Sequence, residues 1–279
     1  MTNPIADPLV EGPDDDINPR LVTLEATPAG VATVTLNRPE RRNAFDAALI
    51  AALSQTFETL KEAEGVRVVF IRGAGGMFCA GADLDWMREA AELSEADNRE
   101  DAMNLARMLK RLWDIPALTV ALVEGGAFGG GAGLAAACDM AVAVQGARFA
   151  FSETRLGLVP ATIAPYVVAA IGPRVARQLF ATARVFEADE AMGLGLVTEV
   201  VADTAALEEA AARIGRDILA CAPGAVAESK RLVGVVYGKE IDDVMKETSR
   251  IIARARVGEE GQEGVRAFLN RAKPSWAVE

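Results

Sequence analysis

Between residues 21 and 36 the hydrophobic positions fall into two short runs, LVTLEA and VATVTL, parted by TPAG. Runs rich in Val, Leu and Thr on either side of a Pro–Gly turn predict a pair of strands. After the loop NRPERRNAFD the period changes. Phe45, Leu49, Leu53, Phe57 and Leu60 recur every three or four residues, which is one apolar stripe of a helix running to about Gly65. Asn43, with Asp46 in the first turn, reads as the N-cap of that helix. RVVFIRG is then a short, almost wholly apolar strand, followed by the loop AGGMFCAGADL and a helix near 83–93. A further helix over 98–113 carries Leu105, Met108, Leu109 and Leu112 on one face. The order repeats with the strand LTVALV, a glycine-rich loop, a short helix to about Cys138, and the strands MAVAV and RFAF.

Helices alternating with strands that read as buried on both faces predict an α/β layered architecture. The pattern changes after GLVTEVV at 195–201, where DTAALEEAAARIGRDILACAP, GAVAESKRLVGVVYG and EIDDVMKETSRIIARARVG follow as amphipathic helices with no strand between them. Three regions are expected: a solvated, acidic tail over residues 1–20, an α/β core over 21–200 and a helical region over 201–279.

Composition narrows the chemistry. The chain has 279 residues, 51% hydrophobic and 25% charged, the make-up of an ordinary globular protein. The least charged stretch, 125–138, is too short to span a bilayer, and the N-terminus has neither the basic nor the apolar region of a signal peptide. No membrane association and a cytoplasmic location are therefore expected. A formal charge of −11 argues against nucleic acid as a partner. Cys79, Cys138 and Cys221 have no metal-ligand or disulfide spacing and read as small core residues, so no metal is expected. Histidine is absent altogether. Triads, dyads and metal sites built on imidazole are thereby excluded, and proton transfer falls to Asp, Glu, Lys, Tyr, Cys or the backbone.

Two loops, FIRGAGGMFCAGADL and ALVEGGAFGGGAGLAAA, each join a strand to a helix through glycines. Such loops can aim backbone N–H groups at one point and let a carbonyl approach closely, as an oxyanion hole requires. Tight turns or close helix packing would use the same residues. GAGLAA at 131–136 also fits the G-x-G-x-x-A turn of dinucleotide sites, although the next strand, MAVAVQG, ends without an acidic residue. Glu153, in RFAFSETRLGLVP, lies between Phe149–Phe151 and Leu156–Leu158. A carboxyl group in an apolar wall has a raised pKa and suits general acid–base work. A salt bridge to Arg155 or another arginine, or a helix cap, is the structural alternative.

Taken together, VTLNRPERRNAFD, FCAGADLDWM, GGAFGGGAGLAAACDMAVA, FAFSETRLGLVPA and GLVTEVV resemble, in order and spacing, the motifs of the crotonase (enoyl-CoA hydratase/isomerase) superfamily over about residues 20–275. The resemblance implies a ClpP-like spiral of ββα units with a helical C-terminal trimerisation region, assembled as a homotrimer or a hexamer (a dimer of trimers). It implies an acyl-CoA substrate, with coenzyme A part of the substrate and no separate cofactor. The N–H groups of Ala82 and Gly130 would form the oxyanion hole and Glu153 would be the acid/base. Arg41, Arg42 and Ala44, in the NRPxxxNA loop, would face the CoA, and Ala80, Asp83 and Leu84 would border its adenine and pantetheine. Phe268 and Lys273 would close the CoA site, sometimes on a neighbouring subunit.

One position departs from the family pattern. Two-carboxylate hydratases of this family carry a second glutamate where Gly133 stands here. GGGAGL, SETRLGLVPATIAPYV and GADLDWM also look similar to the methylglutaconyl-CoA and isohexenylglutaconyl-CoA hydratase branch. The expected function is hydration of a branched or carboxylated enoyl-CoA, with Gly133 leaving room beside the oxyanion hole. The alternatives are a Δ3-Δ2-enoyl-CoA isomerase using Glu153 alone, and a non-catalytic CoA-binding or scaffold protein on the same fold.

Overall fold

The computed structural model describes residues 21–277. The tail expected over residues 1–20 lies outside them. The two predicted opening strands form an antiparallel hairpin, β1 (Val22–Ala26) and β2 (Val31–Leu36). Beside β2 run, in parallel, β3 (Val68–Gly73) and β4 (Leu118–Val123). Helix α1 (Ala47–Glu62) connects β2 to β3, and α2 (Leu84–Glu92) and α3 (Glu95–Trp113) connect β3 to β4.

The chain then adds β5 (Gly126–Phe128), the seven-residue helix α4 (Gly130–Ala136), β6 (Met140–Val144), β7 (Arg148–Ala150) and a short 3-10 helix at Glu153–Leu156. The long helix α5 (Ala164–Thr182), β8 (Phe186–Glu187), α6 (Ala188–Leu194) and β9 (Glu199–Val201) complete the core. The large sheet has the order β1-β2-β3-β4-β6-β9, and a small one has the order β5-β7-β8. A strand of the large sheet, a strand of the small layer and a helix recur in that order as β4, β5, α4 and again as β6, β7, α5.

Alternation explains why the large-sheet strands read as unbroken apolar runs. Val69, Ile71, Ala121, Val123, Ala141 and Ala143 point into the main core, which also holds the whole predicted stripe of α1. Their neighbours Val68, Phe70, Val120, Leu122 and Val142 point to the other face, where Leu207, Ala210, Ala211 and Ile214 of α7 (Thr204–Leu219) cover them. Period-two alternation with apolar partners on both sides leaves no polar position to mark the faces.

The C-terminal helices continue with α8 (Pro223–Val236), α9 (Ile241–Val257) and α10 (Glu259–Leu269). Buried Arg67, just before β3, ties this region to the sheet. Its guanidinium donates to the carbonyls of Ile218, Leu219 and Cys221 at the end of α7 and, over 3.2 Å, to Trp276 O. Leu219 O and Cys221 O lie at the helix end, where carbonyls have no partner within the helix, while Ile218 O also accepts from Cys221 N. Lys230 of α8 similarly donates to Ile115 O and Ala117 O ahead of β4 and pairs with Asp139.

Two sequence expectations need correction. Asp46, not Asn43, is the N-cap of α1, accepting a hydrogen bond from Leu49 N at 2.7 Å. Asn43 is instead fully buried with φ +56°, its Oδ1 accepting from Arg38 N and its Nδ2 donating to Ala74 O and Met77 O. An amide has both donors and acceptor to hold three loop strands at once, which a helix cap does not require. The helix expected over 98–113 begins at Glu95, capped by the Ser94 hydroxyl. The hydrophobic pattern does not single out helices α5 and α6, whereas α10 falls within the helical region expected over 201–279.

Candidate active site

Three adjacent backbone segments meet around the expected oxyanion residues. Cys79 pairs in parallel with Ala127 of β5, and Ala82 pairs in parallel with Phe45. In the second bridge Phe45 N donates to Gly81 O at 2.7 Å and Asp83 N donates to Phe45 O at 2.8 Å. Ala82 lies between these two bonds, so its own N–H turns to the opposite side, as the geometry of a parallel ladder dictates. Ala82 as a residue is exposed. A Cβ added to Gly81 would stand 3.0 Å from Phe128 O and 3.9 Å from Gly129 N, so the Ala82 segment runs directly beside the entrance to α4.

Gly129 makes that entrance. Its φ of +49° and ψ of −119° are accessible only without a side chain. Gly130 is the first residue of α4, and its N–H therefore lies outside the helix's own i→i−4 ladder. A Cβ at Gly130 would meet the Phe45 ring at 3.0 Å, and one at Gly131 would meet Cys79. The glycines thus serve close packing on one side and access on the other. Burial pushes the Cys79 thiol up to about 12, which leaves it an inert packing group under the loop. Because Gly131, Gly133 and Ala136 all lie inside α4, the G-x-G-x-x-A match does not form a strand-to-helix phosphate turn.

Glu153 starts the 3-10 turn after β7, and the parallel pairing of β5 with β7 brings it back over Gly129. A Cβ added at Gly129 would stand 3.3 Å from its Oε1. Its Oε2 is buried and has no hydrogen-bond partner. Burial raises the carboxyl's pKa, opposed by a hydrogen bond from its own backbone N–H. Among the described residues Glu153 forms no ion pair with Arg155 or another arginine, which removes the salt-bridge alternative there. An orphaned buried carboxylate oxygen is expensive unless it meets a ligand or a proton.

The remaining expected site residues are placed as follows. Arg41 and Arg42 are exposed at the end of a 3-10 turn; Arg41 pairs with Asp85 at 3.2 Å, and Arg42 O accepts from Ala80 N. Ala44 is buried and Leu84 is exposed. Asp83 does not present its carboxylate to the cleft. It is 5% exposed, caps α2 through Asp85 N and pairs with Arg38. Burial alone would raise its pKa, but the Asp85 N–H, Arg38 and Arg41 hold it below the ordinary carboxylate range. Phe268 projects outward from α10, which packs on α9, and Lys273 follows in the C-terminal stretch.

Gly133 requires a correction. A Cβ there would stand 2.5 Å from Ile163 Cβ, with Ile163 Cγ2 closer still. Ile163, the N-cap residue of α5, fills the volume that was expected to accommodate an acyl group. Arg38, Asn43, Phe45, Gly129 and Ile163 all border the candidate site, and the sequence does not mark any of them as a site residue. For Arg38 and Asn43 the available signal was their place in the NRPxxxNA loop that carries part of the family resemblance.

Residues 26–279 match the family model described as Enoyl-CoA hydratase/isomerase. The chain belongs to the enoyl-CoA hydratase/isomerase family. Its fold is that of solved members: an enoyl-CoA hydratase from Shewanella pealeana has a TM-score of 0.89 at 37% identity, covering 94% of this chain and 97% of that one. Pseudomonas aeruginosa AtuE also has a TM-score of 0.89, at 39% identity, with 92% and 100% covered. The human mitochondrial methylglutaconyl-CoA hydratase is 30% identical over 267 residues, 93% of this chain and 77% of that protein. Membership makes this chain a crotonase-fold acyl-CoA enzyme. Among the described residues no helix is long and apolar enough to cross a membrane.

Proposed function

We propose that this family member adds water to an enoyl-CoA thioester, with Glu153 as the single acid/base and the N–H groups of Ala82 and Gly130 as oxyanion donors. The observation that carries the reading is the unpartnered, buried Oε2 of Glu153 above Gly129, one residue from the Gly130 N–H. Glu153 accepts a proton from water as the water oxygen bonds to C3 of the enoyl group. The negative charge gathers on the thioester oxygen, where two N–H donors stabilise the enolate more than the ground-state carbonyl. Glu153 then returns the proton to C2. One carboxyl group completes the cycle, and its raised pKa brings donor and acceptor strengths nearer to neutrality.

A branched or carboxylated, methylglutaconyl-like acyl group remains our proposed substrate class, on the likeness to the human methylglutaconyl-CoA hydratase. With Ile163 seated on Gly133, the acyl group must find its room elsewhere. Leu156, Leu158 and Val159, exposed directly after Glu153, supply apolar surface for it. Trimeric assembly would cover Val233, Tyr237, Ile241, Val257, Phe268 and Leu269, which α8, α9 and their neighbouring segments leave exposed on a single chain.

The packing of Ile163 on Gly133 favours a second reading, a Δ3-Δ2 isomerase, because proton transfer between two carbons needs no second polar group to hold water. Incubation with straight, branched and carboxylated 2-enoyl-CoAs and with 3-enoyl-CoAs separates the two by product mass. A gain of one water supports hydration; a shifted double bond without mass change supports isomerisation. Glu153→Gln should lower turnover about 10²–10⁴-fold with CoA-ester binding retained. A Gln variant with wild-type kcat would remove Glu153 from the mechanism.

A further inference from the structure

The guanidinium of Arg38 joins the same two segments whose central pair is Phe45 and Ala82. One terminal nitrogen, Nη1, donates to Ala44 O at 2.9 Å and pairs with Asp46 at 2.8 Å, the residues on either side of Phe45. The other, Nη2, reaches Asp83 at 3.3 Å, the residue after Ala82. The Arg38 side chain is only 12% exposed, and its own N–H is held by Asn43 Oδ1. The bridge it reinforces is short. Two backbone bonds fix Ala82 against Phe45, and beyond Asp83 the chain departs into α2. On the Phe45 side the loop passes through two consecutive left-handed residues, Arg42 and Asn43, which are costly conformations outside glycine. A third backbone bond, Ala80 N to Arg42 O, and the pairing of Cys79 with Ala127 hold the start of the 79–83 segment, but past Ala82 the ladder ends at the Asp83 N–H, and there the Arg38 guanidinium takes over.

We infer that Arg38 is a positioning residue, clamping the Phe45 loop to the 81–83 segment so that the Ala82 N–H stays aligned with that of Gly130. The inference rests on the oxyanion reading proposed above. A forked, planar guanidinium can serve both sides at once, whereas a lysine ammonium, a single point, serves one. Arg38→Lys keeps the charge and loses the bridge. Displacing a catalytic group by about 1 Å costs about 10²-fold in rate. Ground-state binding of the CoA ester, spread over many contacts, is affected far less.

The test compares wild type and Arg38→Lys by steady-state kinetics, thermal unfolding and difference infrared spectroscopy of bound butyryl-CoA labelled with carbon-13 at the thioester carbonyl. Two aligned N–H donors lower the carbonyl stretching frequency. The expected result for Arg38→Lys is a kcat lowered about 10–100-fold, KM nearly unchanged and a smaller carbonyl shift. If the variant keeps the full shift and wild-type kcat, the positioning role is overturned, whatever happens to its melting temperature. Asp83→Asn provides a second route should Arg38→Lys fail to fold. Its amide oxygen can still cap α2, the charge pairing of Arg38 with the 81–83 segment is gone while that with Asp46 remains, and the same reduced shift is expected; a full shift overturns the inference. A wild-type enzyme that leaves the carbonyl frequency unperturbed would instead refute the oxyanion reading itself.

Discussion

Gly133→Ala distinguishes a glycine that makes room for substrate from one that makes room for a neighbouring side chain. In an interior helical position alanine is favoured over glycine by about 1 kcal/mol, so with open space above it the substitution should stabilise the protein. Here the new methyl carbon would stand 2.5 Å from Ile163 Cβ, and contact between carbons is normally reached at about 3.5–4.0 Å. More than an ångström must be recovered by moving α4 against α5, since a Cβ cannot rotate away. Overpacking of this kind costs about 1–3 kcal/mol. With the overlap on a rigid atom the upper half of that range applies, and after the helix-propensity gain a net loss of about 1–2 kcal/mol remains. Ile163→Gly removes the obstructing atoms at a helix N-cap, where glycine is acceptable, and leaves Ile163 Cα 3.6 Å away, an ordinary contact. In that background Gly133→Ala should stabilise by up to about 1 kcal/mol, giving a coupling of about 2–3 kcal/mol between the two positions. Urea unfolding followed by circular dichroism, at fixed protein concentration so that assembly does not confound it, measures all four variants. Stabilisation of the wild type by Gly133→Ala, or the same shift in both backgrounds, would refute the packing account and restore the open acyl space.

Two further outcomes are expected. Arg67→Met keeps the aliphatic stem but strands the Leu219 and Cys221 carbonyls at the end of α7, and should cost about 2–3 kcal/mol; hydrogen exchange confined to its usual slow rate in the last turn of α7 would contradict this. The folded state holds the Glu153 proton more tightly than the unfolded chain, because its pKa is raised by burial. Stability from this group is therefore present at low pH and lost as pH rises from the ordinary glutamate value through the raised one. Glu153→Gln should accordingly be more stable than wild type above that window, with the difference shrinking below it. A stability difference that grows as pH falls would reverse the assignment of the shift.

The hydrophobic pattern determined the elements whose stripes belong to them alone. The α1 stripe Leu49, Leu53, Phe57 and Leu60 and the strand runs around Val69 and Val120 each state their period and burial locally. The motif order likewise carried the family and the candidate residues Ala82, Gly130 and Glu153. Helix α5 escaped because Gly172 and Pro173 interrupt it, and only packing against the core holds the kinked halves in one element. The site's finer geometry was decided entirely by contacts remote in sequence. Glycine at 133 has the same appearance whether a ligand or Ile163 lies above it, and an aspartate at 83 can face either solvent or Arg38. Thirty residues separate Gly133 from Ile163, and forty-five separate Arg38 from Asp83. Which side chain enters such a space depends on how β5 and β7 pair and where α5 begins. Local composition cannot encode that choice, because it is set by the excluded volume and desolvation of groups that meet only when the chain has folded.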